Sequence, residues 1–216
     1  STSGFALSIP VLDLSKASVQ GTNADDDGPG SLRRAIQYAN VIQGTDTISF
    51  NISGPGAHAI HVGQATSGLP LPAITDPVII DGTTQPGYAG RPLIELTPSD
   101  GTPWVNGLTI RAGSSVVRGL VINHFSVGIA LGPGGGNRVE GNYLGTDITG
   151  TEAMGNLVGV SIPGPNNVIG GTAPAQRNVI SGNENKGILI QGVEATGNRI
   201  QGNLIGTDVT GALDVG

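Results

Sequence analysis

The sequence predicts an all-β fold made of stacked coils, and three observations support this prediction. From residue 46 onward, short runs of Ile, Val and Leu alternate with Gly, Pro, Asn and Asp, a pattern typical of strands joined by tight turns. Two short sequence patterns recur in strict alternation, which indicates a repeat architecture. Hydrophobic residues make up 37% of the chain and aromatic residues only 3%, so we expect an aliphatic core divided by frequent turns.

The two recurring patterns define the coils. One pattern reads apolar-x-Gly, at 79–82, 116–119, 138–141, 168–171 and 199–202, and the other reads Gly-apolar-x-apolar, at 107–110, 128–131, 159–162 and 187–190. Successive copies lie about 20 to 37 residues apart, which is more variable than propeller blades or leucine-rich repeats allow. A right-handed parallel β-helix, a solenoid, fits this variation, because its coils keep three short strands and accept insertions at their corners.

The apolar positions predict how the coils stack. The predicted coils are residues 78–114, 115–136, 137–166 and 167–197, and the second strand of a coil is expected within 92–97, 120–125 and 177–183. Packing each coil on the next predicts an inward ladder formed by Ile80, Val117, Val139, Ile169 and Ile200. A single coil cannot bury this face, so the fold requires several coils in contact.

The N-terminal part of the chain has a different pattern. Residues 1–45 are predicted to form an N-terminal cap segment with a helix at about 31–40, and residues 46–216 to form the coils. Ser31 is a suitable N-cap, and the helix has one apolar face, formed by Leu32, Ala35, Ile36 and Ala39. This helix is placed to cover the first end of the core. No cap is visible at the C-terminal end, so we expect further coils of a longer protein, or a partner, to cover it.

Charge and composition argue against several classes of partner. Ten basic residues against 16 acidic ones, with no basic cluster, argue against nucleic acid. No apolar stretch approaches the roughly 20 residues of a membrane helix, so we expect no membrane insertion. The absence of Cys rules out disulfides and thiolate metal sites, and no cofactor is expected.

The segments at 20–40 (QGTNADDDGPGSLRRAIQYAN), 167–183 (NVIGGTAPAQRNVISGN) and 202–211 (GNLIGTDVTG) carry a family resemblance. The first resembles the opening of large bacterial surface or secreted proteins, in which a Ser-Leu-Arg-x-Ala-Ile cap segment precedes right-handed β-helix repeats. The other two are similar to those repeats, and the resemblance covers about residues 20–216. It implies an exported bacterial protein, extracellular or at the cell surface, in a family assigned to adhesion, surface structure or polysaccharide processing.

One column of charged residues is the candidate for catalysis. The residue before the Gly of the first pattern is predicted at one outward position, where Asp81, Arg118 and Glu140 follow one another about 4.8 Å apart. If the protein is an enzyme, these three residues are the catalytic candidates, and the two carboxylates lie near the upper separation for an inverting glycosidase. As a structural feature, the column is a ladder of surface ion pairs that contribute about 0–1 kcal/mol each. We favour the structural interpretation, because an Arg between two acids lowers the pKa of both.

Two acidic features are the candidates for Ca²⁺. Residues 137–150 (NRVEGNYLGTDITG) and 198–211 (NRIQGNLIGTDVTG) repeat a Gly-Thr-Asp loop that offers one carboxylate each, Asp147 and Asp208. Because Ca²⁺ takes six to eight oxygens, we expect these side chains to bond their own backbone instead. The loop is expected on every second coil, with 170–176 as its counterpart between the two copies. The other candidates are Asp25, Asp26 and Asp27, which are expected to form a solvated loop beside the helix.

Asn and His residues are expected to have structural roles. Asn142 and Asn203 are predicted to stack at one corner and Asn156 and Asn183 at another, with their amides hydrogen-bonded between coils. His58 and His61 lie in one strand-like segment and are expected on one face as surface side chains.

These observations favour a structural or adhesive module over an enzyme. Three functions remain open: a structural or adhesive β-helix, a polysaccharide lyase or glycoside hydrolase acting along an outward strand face, and a non-catalytic carbohydrate-binding module. A polysaccharide or another surface protein is the partner class that each of them implies.

Overall fold

The computed structural model describes residues 18–99 and 105–216, in which strands form three sheets and every strand pairing is parallel. The first sheet contains β1 (Ser18–Gly21), β2 (Asp46–Phe50), β4 (Val78–Asp81), β7 (Val116–Arg118), β10 (Arg138–Glu140), β13 (Val168–Gly170) and β16 (Arg199–Gln201). The second contains β3 (His58–Val62), β5 (Ile94–Pro98), β8 (Leu120–Ile122), β11 (Tyr143–Leu144), β14 (Val179–Ile180) and β17 (Leu204–Ile205). The third contains β6 (Asn106–Ile110), β9 (Val127–Leu131), β12 (Val158–Ile162) and β15 (Lys186–Ile190).

The chain visits the three sheets in rotation. From β4 to β17 it passes through the first, second and third sheet in turn, and each return adds a strand beside the previous one. Before β4, the chain contributes β2 and β3 and then touches the third sheet through a single bridge between Ile74 and Ile110. This arrangement is consistent with the predicted all-β parallel solenoid.

The two sequence patterns fall on two different sheets, as the alternation predicts. The apolar-x-Gly copies cover the strands of the first sheet from β4 to β16, and the Gly-apolar-x-apolar copies cover all four strands of the third sheet. The second-sheet strands β8 and β14 lie in the predicted segments, and β5 extends one residue beyond its segment. β11 and β17, of two residues each, were not predicted.

Glycine is required where the first sheet turns tightly into the second. Gly119, Gly141 and Gly202 each follow a first-sheet strand directly and have φ of +71°, +66° and +69°. L-residues with side chains rarely adopt this left-handed conformation, so the Gly of the first pattern records a backbone requirement.

The core is a set of apolar ladders. The predicted ladder is confirmed, because Ile80 pairs with Val117, Val117 with Val139, Val139 with Ile169, and Ile169 with Ile200. The first four of these side chains are fully buried, whereas Ile200 on the last strand is 39% exposed. Each fully buried aliphatic side chain contributes about 1.5–3 kcal/mol, so the stability of the fold rests on this stacking.

The short helix α1 (Leu32–Ala39) packs against β1 and β2. Ser31 is its N-cap, as predicted, and the Ser31 Oγ accepts a hydrogen bond from the Arg34 backbone N–H at 3.2 Å. The four residues of the predicted apolar face are all buried. The strand β1, which precedes α1, was not predicted, because its four residues contain one Val and no alternation. Residues 1–17 of the predicted cap segment lie outside the described residues.

The acidic run before α1 contains a buried carboxylate, so the expectation of a solvated loop is wrong for Asp26. Its Oδ1 lies 2.7 Å from the Arg33 Nη2, and Arg33 is itself buried. The same carboxylate accepts hydrogen bonds from the backbone N–H groups of Gly63 and Ala65 and from the Thr66 hydroxyl. Burial raises the pKa of Asp26, but these hydrogen bonds and Arg33 outweigh it and hold the pKa below its usual range. This network joins α1 to the connection after β3.

An asparagine ladder lies at each of the three corners between sheets. At the corner from the first to the second sheet, the backbone N–H of Asn142 donates to Asn178 Oδ1, and that of Asn178 donates to Asn203 Oδ1. From the second to the third sheet, the Asn156 N–H donates to Asn183 Oδ1. From the third back to the first, Asn137, Asn167 and Asn198 repeat the arrangement. The pairing of Asn156 with Asn183 is confirmed, Asn142 and Asn203 share a ladder with Asn178 between them, and the third ladder was not predicted.

Replacing Asn178 with Ala tests how much a ladder contributes. The Asn178 side chain is fully buried, and its Nδ2 also donates to the Val139 carbonyl at 2.8 Å. The change leaves the Asn142 N–H without its acceptor and removes one donor to the Val139 carbonyl, so we expect the free energy of unfolding to fall by about 2–4 kcal/mol in urea titrations. Asn185→Ala, at an exposed site, is the control and should change it by no more than about 0.5 kcal/mol. Equal effects of the two substitutions would contradict the role of the ladder.

Candidate functional site

Asp81, Arg118 and Glu140 form the predicted column, and each is the last residue of its strand, β4, β7 or β10. Arg118 is in register with Asp81 on one side and with Glu140 on the other. The Arg118 Nη2 donates to Asp81 Oδ2, and its Nη1 lies 4.0 Å from Glu140 Oε1. We call these three residues the charge column. The two other positions of the same prediction, Gly170 and Gln201, carry no charge and are in register with each other.

Both carboxylates of the charge column are covered and occupied by donors. The side chains of Asp81 and Glu140 are 7% and 11% exposed, whereas Arg118 is 42% exposed. Asp81 Oδ1 accepts hydrogen bonds from the Thr83 N–H and hydroxyl, at 3.1 and 2.6 Å. Glu140 Oε2 accepts hydrogen bonds from Arg138 Nη2 at 2.8 Å and from Gln176 Nε2 at 3.3 Å. The charges of these two carboxylates are therefore balanced by two arginines.

This arrangement does not suit general acid catalysis by Asp81. Burial raises the pKa of Asp81, but the hydrogen bonds from Arg118 and Thr83 outweigh it, so the pKa lies below its usual value. A general acid needs a carboxyl that remains protonated near the working pH, which requires a raised pKa. The hydrogen bond with Asp81 in turn raises the pKa of Arg118, so this guanidinium stays charged.

Arg118→Ala is expected to lower stability in a pH-dependent way. At pH 7 the Asp81 carboxylate would remain covered with only Thr83 as a partner, and we expect a loss of about 1–2 kcal/mol, discounted because Arg118 is partly exposed. The folded-state pKa of Asp81 is depressed, so its ion pair stabilises the protein above the unfolded pKa of about 3.9 and is lost as pH falls below it. The difference between variant and parent should therefore shrink between pH 5 and pH 2 in urea titrations.

The matched control is Arg111→Ala, an exposed arginine after β6 in the third sheet. It should change the free energy of unfolding by no more than about 0.5 kcal/mol at either pH. A loss in Arg118→Ala that is independent of pH would argue that the side chain stabilises by packing alone.

The two Gly-Thr-Asp loops have the same structure. In the first loop, 145–154, Asp147 Oδ1 accepts hydrogen bonds from the backbone N–H groups of Thr151 and Glu152, and Oδ2 accepts one from the Thr149 hydroxyl. In the second, 206–215, Asp208 accepts hydrogen bonds from Ala212, Leu213 and Thr210 in the same way. Burial raises the pKa of Asp147, but the hydrogen bonds to its carboxylate outweigh burial, so the pKa is lowered. The pKa of Asp208 is also lowered, mainly by the hydrogen bond from the Thr210 hydroxyl. Both carboxylates thus bond their own loops, as expected.

The Gly-Thr-Asp loops cover the outer face of the second sheet. Val121, Tyr143 and Val179 are in register on that face and form a second buried apolar cluster, against which Ile148 and Val209 of the loops pack. Gly150 fits closely here, because a Cβ atom at this position would lie 2.9 Å from the Tyr143 ring. The loops therefore add an outer apolar layer over the second sheet.

The prediction that residues 170–176 are the counterpart of these loops is wrong. The Gly-Thr-Asp loops follow second-sheet strands, and the first of them leads to the third sheet. Residues 171–178 instead connect β13 to β14, from the first to the second sheet, and include a 3₁₀ turn at Pro174–Gln176. In that coil the connection from β14 to β15 is short, at 181–185. These neighbouring coils, 137–166 and 167–197, therefore place their long insertions at different corners.

Asp147→Ala is expected to open the first loop. The backbone N–H groups of Thr151 and Glu152 would lose their acceptor, so we expect their amide protons to exchange at least tenfold faster and the free energy of unfolding to fall by about 1–2 kcal/mol. The control is Glu152→Ala, whose exposed side chain lies in the same loop. In the parent protein, 5 mM Ca²⁺ (on the order of the weakest extracellular sites) should leave the melting temperature unchanged, because the Asp147 oxygens are already engaged. A calcium-dependent rise would show that the loop binds the ion.

A pocket opens beside the charge column, between the long insertions of different coils. Its volume is about 230 Å³, and it is lined by Tyr88, Gly90, Gly141, Tyr143, Pro174, Ala175, Arg177, Val179, Leu204 and Val209. Its floor is the outer face of the second sheet, and its sides come from the corner segments 82–93 and 171–178 and from the second Gly-Thr-Asp loop. We call it the corner pocket.

The corner pocket and the charge column are neighbours. Gly141 follows Glu140 directly, and Gln176, which precedes the lining residue Arg177, donates to Glu140. Burial raises the pKa of Tyr88, and the nearby Asp81 carboxylate raises it further. Burial also raises the pKa of Tyr143, an effect opposed by the guanidinium of Arg91. The two tyrosines thus sit in a partly desolvated, charged environment.

Other candidate sites lack the geometry for metal binding. Within residues 18–99 and 105–216, no three His, Asp or Glu side chains lie close enough together to hold a metal ion. His58 is half-buried and His61 is exposed, so the expectation that they share a face is wrong. They are three positions apart, and neighbouring residues of a strand point to opposite sides. No helix in the described part of the chain has the length and apolarity to cross a membrane.

Sequence reasoning identified the charge column but missed the pocket residues. Arg138 and Gln176 complete the environment of Glu140, and Arg138 had a signal, since it lies two residues before Glu140 on one strand. Tyr88 and Arg177 lie in corner insertions with no repeated pattern, so nothing in the sequence placed them together.

Comparison with known proteins gives no family. No protein-family model matches the chain, and no curated protein sequence matches it.

Proposed function

We propose that this chain is a right-handed parallel β-helix module of an exported bacterial surface protein, with a structural or adhesive role. Three parallel sheets visited in rotation support this architecture, because parallel strands in successive coils are what such a helix requires. Its bacterial and extracellular setting rests on the resemblance of the segments at 20–40 and 167–183 to surface-protein repeats.

The neutralised charge column is the observation that carries the structural assignment. Its carboxylates each bind an arginine and additional donors, and Asp81 has a lowered pKa. A hydrolase of the inverting type needs one carboxyl of raised pKa and one free carboxylate that activates water. Asp81 does not fit the first requirement, and neither carboxylate is free, because Arg118, Arg138, Thr83 and Gln176 occupy their oxygens. A ladder of ion pairs and hydrogen bonds along the outer surface accounts for these contacts.

A carbohydrate-binding role is the second candidate, and the corner pocket favours it. Two tyrosines and an arginine line this pocket on an outward surface. Such pockets combine apolar contact area with a few polar groups that orient a ligand. This role is compatible with adhesion and needs no catalytic residue.

A panel of soluble polysaccharides tests the proposal. The parent protein and Arg118→Ala are incubated with neutral and acidic polymers, and new reducing ends and unsaturated products are measured. We expect no turnover by either protein, with binding to a polymer retained in both. Turnover by the parent that disappears in Arg118→Ala, with the circular dichroism spectrum unchanged, would establish an enzyme and refute the structural role of the column.

A further inference from the structure

We propose that the corner pocket binds one sugar ring that carries a carboxylate, a hexuronate unit of an acidic polysaccharide. This inference names the ligand for the carbohydrate-binding role proposed above and rests on it. Three properties of the pocket carry the argument: an arginine with free donors, the absence of acidic lining residues, and a volume of the size of one ring.

Arg177 supplies the recognition of a carboxylate. Its Nε donates to the Gly202 carbonyl at 2.8 Å, which holds the guanidinium in place. Its two terminal nitrogens make no hydrogen bond to the residues that the structure describes, and Arg177 is exposed. A guanidinium with two free, parallel N–H donors matches a carboxylate in a bidentate pair, the geometry for which Arg is favoured.

The other arginines near the pocket are already engaged. Arg118 and Arg138 bind the carboxylates of the charge column, and Arg91 donates to the Thr149 carbonyl at 3.0 Å. Among the lining side chains Arg177 is the one charged residue, and no Asp or Glu lines the pocket. The side chain of the neighbouring Glu140 is 11% exposed and already accepts hydrogen bonds from Arg138 and Gln176. A carboxylate beside Arg177 therefore meets an attractive charge without a competing acid in the lining.

The floor and walls fit one ring. Tyr143 and Val179 are buried and close the base of the pocket, and Leu204, the next residue in register, is partly exposed. Tyr88 stands at one side as a half-buried aromatic ring. The volume of about 230 Å³ lies below the 300–1,000 Å³ of pockets for drug-sized ligands, so it suits a single ring within a chain.

A peptide carboxylate is the competing ligand. Extended peptides gain affinity by adding a strand to an open sheet edge. In the pocket base, β11 and β14 are paired on both sides, and only β17, which carries Leu204, is an edge strand of the sheet. A peptide strand added there would lie one strand spacing beyond Leu204, outside the base formed by Tyr143 and Val179.

The experiment is a titration of the parent protein with D-galacturonate and D-glucuronate, using D-galactose and D-glucose as neutral counterparts. Backbone amide chemical shifts around Tyr88, Tyr143 and Arg177 report binding at the pocket. For a ligand with about 13 non-hydrogen atoms we expect a dissociation constant on the order of 1 mM for one of the uronates. Its neutral counterpart should bind at least about tenfold more weakly, because it lacks the charge-assisted pair.

Variants locate the effect on Arg177. Arg177→Ala should reduce uronate binding about tenfold, to the level of the neutral sugar, and Arg177→Lys should restore it only partly, because Lys cannot form the bidentate pair. Tyr88→Ala should weaken both sugars, since it removes apolar contact area and leaves Arg177 in place. Arg111→Ala, away from the pocket in the third sheet, should bind like the parent. Melting temperatures of all variants verify that the fold is retained.

The outcomes separate this inference from the proposed function. Equal binding of uronate and neutral sugar, uronate shifts away from the pocket, or unchanged binding in Arg177→Ala would overturn the inference. Tighter binding of a tripeptide than of either uronate, with shifts at the pocket, would assign the site to peptide carboxylates and overturn it as well. Cleavage of a polyuronate by the parent protein would refute the non-catalytic function, whatever the binding data show.

Discussion

The structure depends on how each coil satisfies the backbone where it turns from one sheet to the next. At a tight corner the N–H and carbonyl groups leave the sheet ladder, and burying them unpaired would cost about 1–3 kcal/mol each. The asparagine ladders solve this at all three corners, because one side-chain amide both accepts from the neighbouring coil and donates to a carbonyl. Ser115 extends one ladder toward the first coils, where its hydroxyl accepts from the Val78 N–H. With the corners satisfied, the aliphatic ladders stack in register and supply most of the stability.

Rigid corners also explain where a site can form. Strands in the stack are fixed by neighbours on both sides, so variation is confined to the connections and to outward-facing side chains. The charge column uses outward positions at the ends of first-sheet strands, and its ion pairs tie coils together along the surface. The corner pocket uses insertions from coils that are separated in sequence but adjacent in space. A functional surface on this scaffold is therefore assembled across coils and does not belong to any one repeat.

Features with a period were predictable from the sequence, and features without one were not. The first-sheet strands from β4 to β16, the third-sheet strands, the Ile80–Ile200 ladder and the charge column follow from repeated patterns, because parallel coils place equivalent residues in register. Asn178 precedes β14 just as Asn142 and Asn203 precede β11 and β17, but the insertion before it hides this equivalence in the sequence. The buried ion pair between Arg33 and Asp26 has no repeated pattern and could not be predicted from one. The corner pocket was beyond prediction, since Tyr88, Tyr143 and Arg177 come from three coils whose insertions share no pattern.

The alternation of insertions has a consequence for how such a chain can evolve. Asp147 and Asp208 lie 61 positions apart, and the coil between them carries its long insertion at another corner. Deleting the coil between them would place two Gly-Thr-Asp loops directly above each other, and adding one would leave a gap in the outer layer next to Tyr143. Over residues 137–216, a pair of coils is therefore the segment whose duplication keeps both the asparagine rungs and the outer layer.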